Sequence, residues 1–200
     1  MPTVLVTAFE PYDRWTQNAS WLALVELTRS LPSEPRLVTR RYPVDFQRAR
    51  ERLEKDLDGD FDFAIHLGQA PGSTRVRLEA VGLNVGGSSH GNPDALATLV
   101  PDGPLGYRSP LPLPSWAQQL RSAGIPAQVS FHAGTYLCNA ILYLSLHLAQ
   151  RRGLRTQSAF IHLPLDTSQV IDEQCETASL PAARSAEAIR IILADLANRT

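Results

Sequence analysis

The chain has 200 residues, 44% of them hydrophobic and 20% charged, with a formal net charge of −1. This suits one globular domain with a sizeable core, and it leaves no electrostatic footprint for nucleic acid or an anionic membrane surface. No run approaches the ~20 apolar residues of a bilayer-spanning helix, and two cysteines, Cys138 and Cys175, are too few for a disulfide framework.

In chain order, "TVLVTAF" (3–9) is a short β-branched run that reads as a buried parallel strand. The polar and aromatic loop "EPYDRWTQNAS" follows, and "SWLALVELTRSL" (20–31) has the apolar spacing of a helix that Pro32 stops. "RLVTRRYPV" predicts a second strand, and "DFQRARERLEKDL" a charged helix closed by an acidic turn. "FDFAIHLG" (61–68) is a third strand ending at a glycine, and "TRVRLEAVGLNV" (74–85) predicts an extended segment. The next twenty residues, "GGSSHGNPDALATLVPDGPL", are too long for an ordinary connection and read as a lid or an insertion hairpin, placed at about 86–110. Then come a helix at 113–124 stopped by Gly124, a strand in "PAQVSFHAG", and the stretch "HAGTYLCNAILYLSLHLA" (132–149), in which a small, glycine-bearing turn gives way to a long apolar helix. "QSAFIHLPLD" (157–166) is one more strand, and "SAEAIRIILADLAN" (185–198) an amphipathic helix. Strands alternating with helices indicate an α/β chain, a three-layer α/β/α sandwich around a twisted, mostly parallel mixed sheet, with residues 1–200 forming a single catalytic domain.

Paired arginines at 40–41 and 151–152 read as solvated faces. The opening "MPTVLVTAF" has neither a basic segment nor a cleavage pattern, so the expected compartment is a reducing cytoplasm with free thiols. Working residues of α/β sheets gather beyond the carboxyl ends of strands, and three unusual residues lie near such ends: Cys138, His162 and Glu79. Each has an ordinary alternative. A free cysteine can be a small core hydrophobe, a strand-end histidine a satisfied core residue, and Glu79 a solvent-facing group on an edge strand. Together they say more. A helix start, with its unpaired N–H groups and positive dipole end, favours a thiolate. An imidazole can take the thiol proton and return it to a leaving amine, and a carboxylate can hold the tautomer of that imidazole. Other constellations are weaker. There is no G-x-S-x-G elbow, and the histidines at 66, 90, 132, 147 and 162 show no H-x-x-x-H spacing, so no metal site is expected. "DLDGDFD" (56–62) reads as a turn rather than a calcium loop, "GGSSHG" (86–91) as a flexible loop, and Cys175 as incidental.

At this point the residues resemble a known family, the type I pyroglutamyl peptidases, or pyrrolidone-carboxylate peptidases, which are cytosolic cysteine exopeptidases. The likeness runs through "VTAFEPYD", "LGQAPG", "LEAVGLNV", "SFHAGTYLCNAILY" and "FIHLPLD" in order. It implies Cys138 as nucleophile, His162 as base, Glu79 as the partner of that base, and removal of an N-terminal pyroglutamate from peptides without a cofactor. It also implies a possible homo-oligomer, a tetramer in many members. For the substrate it implies Phe9 and Tyr12 against the flat lactam ring with Leu137 beside them, and Asn18 and Gln69 on the polar side, although Asn18 could equally cap the helix that follows it. The sequence departs from the family pattern at Ala8, Tyr12 and Asp13, where glycine, phenylalanine and glycine are usual, and at Ser73, Ala80 and near Ser89, where arginines are expected. Two other classes therefore stand beside the peptidase: a catalytically weakened binder of pyroglutamyl peptides or lactams, and another hydrolase or a phosphorylase on a similar scaffold.

Overall fold

The computed structural model describes residues 1–87 and 96–199. Strands β1 (Thr3–Phe9), β2 (Arg36–Tyr42), β3 (Phe63–Gln69), β4 (Val76–Glu79), β7 (Ala127–Ser130) and β8 (Gln157–Leu163) form one sheet in the order β2-β1-β3-β8-β4-β7. All neighbours are parallel except β4 and β8, so the expected mostly parallel mixed sheet is the observed one.

The period-two alternation of the strands sorts their side chains onto two faces. Val4, Val6, Ile65, Leu67, Ala159 and Ile161 point toward helices α1 (Ala19–Thr28), α3 (Leu113–Ser122) and α5 (Ala182–Ala197). Leu5, Phe9, Ala64 and Phe160 point the other way, toward α2 (Phe46–Asp56) and α4 (Leu137–Arg152). The result is three layers. On the α4 face the alternate positions also carry polar groups: Thr7, His66, Ser158 and His162.

Helix α4 is buried almost all round, from Leu137 through Ala149 apart from Cys138. A helix apolar on every side needs cover on every side. The sheet supplies one side. The other is a short antiparallel pair, β5 (Val81–Leu83) with β6 (Gly106–Arg108), which lies against the helix. Gly82 makes this approach possible, because a Cβ there would stand 2.7 Å from the backbone nitrogen of Tyr143. Asn139 ties the two elements together: its Oδ1 accepts from Leu83 N at 2.8 Å and its Nδ2 donates to the carbonyls of Leu83 and Val85.

This corrects the single extended segment expected over 74–85. The chain runs in the main sheet to Glu79, turns at Ala80, and leaves the sheet to cover α4. Nor is β4 an edge strand: it lies between β8 and β7, so Glu79 is buried rather than solvent-facing. The insertion expected at 86–110 falls partly on residues 88–95, outside the described residues, and Ser89 with it. The acidic stretch after α2 is a turn, with Gly59 N bonded to Asp56 O, and the Asp58, Asp60 and Asp62 carboxylates meet Arg152 or Arg155.

Candidate active site

The alternation in "SAFIHL" puts Ser158, Phe160 and His162 on the face toward α4. In the register of β8 with β3, His162 lies opposite Gly68. In the antiparallel register with β4, Phe160 lies opposite Glu79, so Glu79 is the diagonal neighbour of His162 on the same face. The side chains meet: His162 Nδ1 and Glu79 Oε1 are 2.8 Å apart, and both residues are buried. The second carboxylate oxygen, Oε2, is also buried and has no hydrogen-bond partner among the described residues.

With Nδ1 turned to the carboxylate, the other ring nitrogen is left for Cys138, which stands at the second position of α4 after Tyr136. Burial by itself would push the His162 pKa down. The Cys138 thiolate beside it, and then the Glu79 carboxylate, outweigh that effect and raise it to about 9. The first bond within α4 runs from Ala140 N to Tyr136 O, so the amides of Leu137 and Cys138 precede the helical ladder. Gly134, at φ 80°, forms the left-handed turn that brings the chain into this helix. Gly68 leaves no room for a side chain: a Cβ there would lie 2.6 Å from the Phe160 ring and 3.1 Å from Cys138 Sγ.

The thiol opens onto a small cavity of about 140 Å³. Phe9, Tyr12, Asn18, Gln69 and Leu137 all line it, together with Cys138 and His162. Phe9 packs against Tyr42 and Phe160, which fixes its ring. Burial, and then the charges of Cys138 and Asp13, push the Tyr12 phenol up to about 12, with Gln69 pulling the other way, so it stays a neutral donor. Asn18 is committed locally. Its Oδ1 accepts from Ser20 N and Ser20 Oγ and caps α1, while its Nδ2 donates to Glu10 O. Val44, Ala133 and Tyr136 complete the wall, and sequence reasoning did not single them out. Val44 follows the carboxyl end of β2 and so obeys the strand-end rule. Ala133 and Tyr136 announce themselves only through their place in the turn before Cys138.

Glu79 of β4 does not line the cavity itself but stands directly behind His162, which does. His66 is wholly buried and bonded at both ring nitrogens, to Thr7 Oγ1 at 2.8 Å and Ser145 Oγ at 3.0 Å, and burial lowers its pKa to about 3. It is a neutral core residue. His147 pairs with Tyr107, and Cys175 is exposed.

A profile of the family described as Pyroglutamyl peptidase matches residues 2–198. The chain belongs to the pyroglutamyl peptidase family. Pyrrolidone-carboxylate peptidases of Clavibacter michiganensis and Pyrococcus furiosus are 37% and 36% identical to it, covering 86% and 85% of this chain and 82% and 84% of their own. The crystal structure of the pyrrolidone carboxyl peptidase of Fervidobacterium islandicum superposes with a TM-score of 0.92 at 32% identity, covering 98% of both chains.

Within this family the departures of the sequence acquire a physical sense. Asp13, where the pyroglutamyl peptidase pattern has glycine, adopts φ 54°, the one positive φ outside glycine among the described residues. The backbone there requires the left-handed region, which aspartate tolerates better than most residues. Ser73, at an expected arginine, is buried and bonded to Arg75 O and to the Arg77 guanidinium. Ala80, at another, packs into the core on the opposite face from Glu79.

Proposed function

We propose that this pyroglutamyl peptidase family member hydrolyses the amide bond after an N-terminal pyroglutamate, with Cys138 as nucleophile, His162 as proton carrier and Glu79 as the group that orients His162. One observation carries the reading: the buried 2.8 Å contact between His162 Nδ1 and Glu79 Oε1, next to a thiol at a helix start. The Cys138 thiolate attacks the pyroglutamyl carbonyl carbon, and the C=O electrons move to oxygen. The developing oxyanion meets N–H groups at the start of α4, where donors aimed at that charge act most strongly. Collapse breaks the C–N bond, and the leaving amine takes its proton from His162, leaving a thioester. Water, deprotonated by the now neutral His162, attacks the thioester. Pyroglutamic acid departs, and the thiolate–imidazolium pair is restored.

The neutral lactam fits a cavity walled by Phe9, Tyr12 and Leu137, with Gln69 as its polar contact. Asn18 shapes the wall through its capping bonds rather than by meeting the ring. Cytoplasmic residence and assembly as a tetramer belong to the same proposal. They are supported by the family resemblance and, for the compartment, by two unpaired cysteines, and among the described residues no helix is long and apolar enough to cross a membrane. Light scattering tests the assembly.

The decisive test of the activity is release of a fluorescent amine from a pyroglutamyl amide, its loss on iodoacetamide treatment, and its comparison with the prolyl amide. Proline keeps the ring but lacks the carbonyl and carries a charge, so discrimination above ~10³ in kcat/KM is expected, between the limits for shape alone and for unpaired polar groups. Prolyl amides cleaved within tenfold of pyroglutamyl amides would overturn the substrate assignment.

A further inference from the structure

The stretch "LPLDTSQV" (163–170) leads from β8 into a single 3₁₀ turn, Thr167–Gln169, closed by a reciprocal cap. The Asp166 carboxylate accepts from Ser168 N at 2.9 Å, and Asp166 N donates to Gln169 Oε1 at 2.8 Å. The other end of the Gln169 amide reaches across to the cavity. Its Nε2 donates to the Gln17 carbonyl at 3.1 Å and to Gln69 Oε1 at 2.8 Å.

Backbone groups settle which way both amides face. Asp166 N–H is a donor, so the Gln169 atom against it is oxygen; Gln17 C=O is an acceptor, so the atom against that is nitrogen. Gln169 therefore offers a donor to Gln69. Ala19 N offers a second donor to the same Gln69 oxygen at 2.7 Å. With two donors on its oxygen, Gln69 is held with its NH₂ turned away from them. That Nε2 is buried, belongs to a cavity-lining side chain only 4% exposed, and makes no hydrogen bond of ordinary geometry among the described residues, the Tyr12 phenol on the same wall being the group near enough to feel the Gln69 amide. An unpaired buried donor at a cavity wall is a place for a ligand acceptor.

We propose that Gln169 is a positioning residue for substrate recognition, locking the Gln69 amide so that its NH₂ faces the cavity and reads the ring carbonyl of a lactam. This rests on the pyroglutamyl reading for the identity of the lactam. Gln169 lies in a turn beyond the site and acts only through Gln69. The oxygen-side contacts leave no freedom for the amide to invert without orphaning Ala19 N.

The test uses Gln169→Glu, which preserves the acceptor for Asp166 N and so the turn, but sets a carboxylate oxygen against Gln69 Oε1. Gln69 then rotates to donate toward the new carboxylate and presents its oxygen to the lactam carbonyl. We expect kcat/KM for a pyroglutamyl amide to fall on the order of 10²-fold, the scale of a mispositioned contact. Protection of Cys138 from iodoacetamide by 2-pyrrolidone should weaken by a similar factor. The rate of Cys138 alkylation without 2-pyrrolidone should stay within twofold of wild type, because the thiol and imidazole are untouched. Combined with Gln69→Met, the change should add nothing to the loss caused by Gln69→Met alone. Should Gln169→Glu fail to fold, Gln169→Met, similar in volume, takes its place in the same comparisons. Unchanged protection by 2-pyrrolidone, additive losses, or an equal fall in the bare alkylation rate would overturn the proposal. A wild-type protein that binds 2-pyrrolidone in a Gln169-dependent way, yet leaves pyroglutamyl amides intact, would sink the peptidase reading and support this one.

Discussion

Replacing Gly68 by alanine adds one methyl group at the most crowded point of the site. The new carbon would lie 2.6 Å from two atoms of the Phe160 ring and 3.1 Å from Cys138 Sγ. Carbon pairs settle at about 3.5–4.0 Å, so roughly 1 Å must be found. Phe160 cannot readily give it: the ring is fully buried, stacked on His66, tilted against Phe9, and 4.9 Å between centroids from His162. Overpacking of this kind costs about 1–3 kcal/mol, which for a domain of this size lowers Tm by roughly 4–8 °C at the middle of that range. Because the atoms that must yield are the thiol and the ring beside the imidazole, a shift approaching 1 Å should also lower kcat by about 10². Thermal melting, turnover of a pyroglutamyl amide and the rate of iodoacetamide alkylation measure the three consequences. A Gly68→Ala protein that melts within a degree of wild type and turns over within twofold of it would refute the packing argument.

Cys138→Ala should abolish turnover while Cys175→Ala, at an exposed position, retains it, as followed by amine release. Glu79→Gln keeps the shape but removes the charge that stabilises the His162 imidazolium, so turnover should fall by about 10² or more; near-normal turnover would make Glu79 purely structural. The His162 pKa is raised from 6.5 to about 9 by its partners, so the stability it contributes is complete below about pH 6.5 and disappears as pH rises to about 9. kcat/KM should decline over the same upper limb, as the imidazolium loses the proton owed to the leaving amine. His66 acts in the opposite sense: its pKa is lowered from 6.5 to about 3, so the unfolded chain takes up a proton that the native state refuses, and stability falls as pH drops from 6.5 toward 3. Replacing His66 with glutamine should flatten that acid limb in pH-dependent melting, and an unchanged limb would assign the acid loss to other groups.

Local patterns already carried a great deal of this protein. The β-branched runs, the period-two alternation of "SAFIHL" and the apolar helix after "AGTYL" are consequences of short-range geometry, and they place Cys138 at a helix start and His162 near a strand end from the residues alone. An asparagine just ahead of a helical run made Asn18 legible as a possible cap. Strand order and direction are another matter. An alternating run reads alike whether its strand is parallel or antiparallel, central or at an edge, because partner choice depends on packing between segments distant in sequence. So the burial of Glu79 followed only from β4 lying antiparallel to β8 inside the sheet, which brings together residues 83 positions apart. The break after Glu79 came from the need to cover the far side of α4. Gln169, 100 positions from the Gln69 it holds, had no local mark beyond a capping turn. Gly68, an ordinary strand glycine by sequence, became decisive only once tertiary packing set a thiol and an aromatic ring against the space its missing side chain leaves.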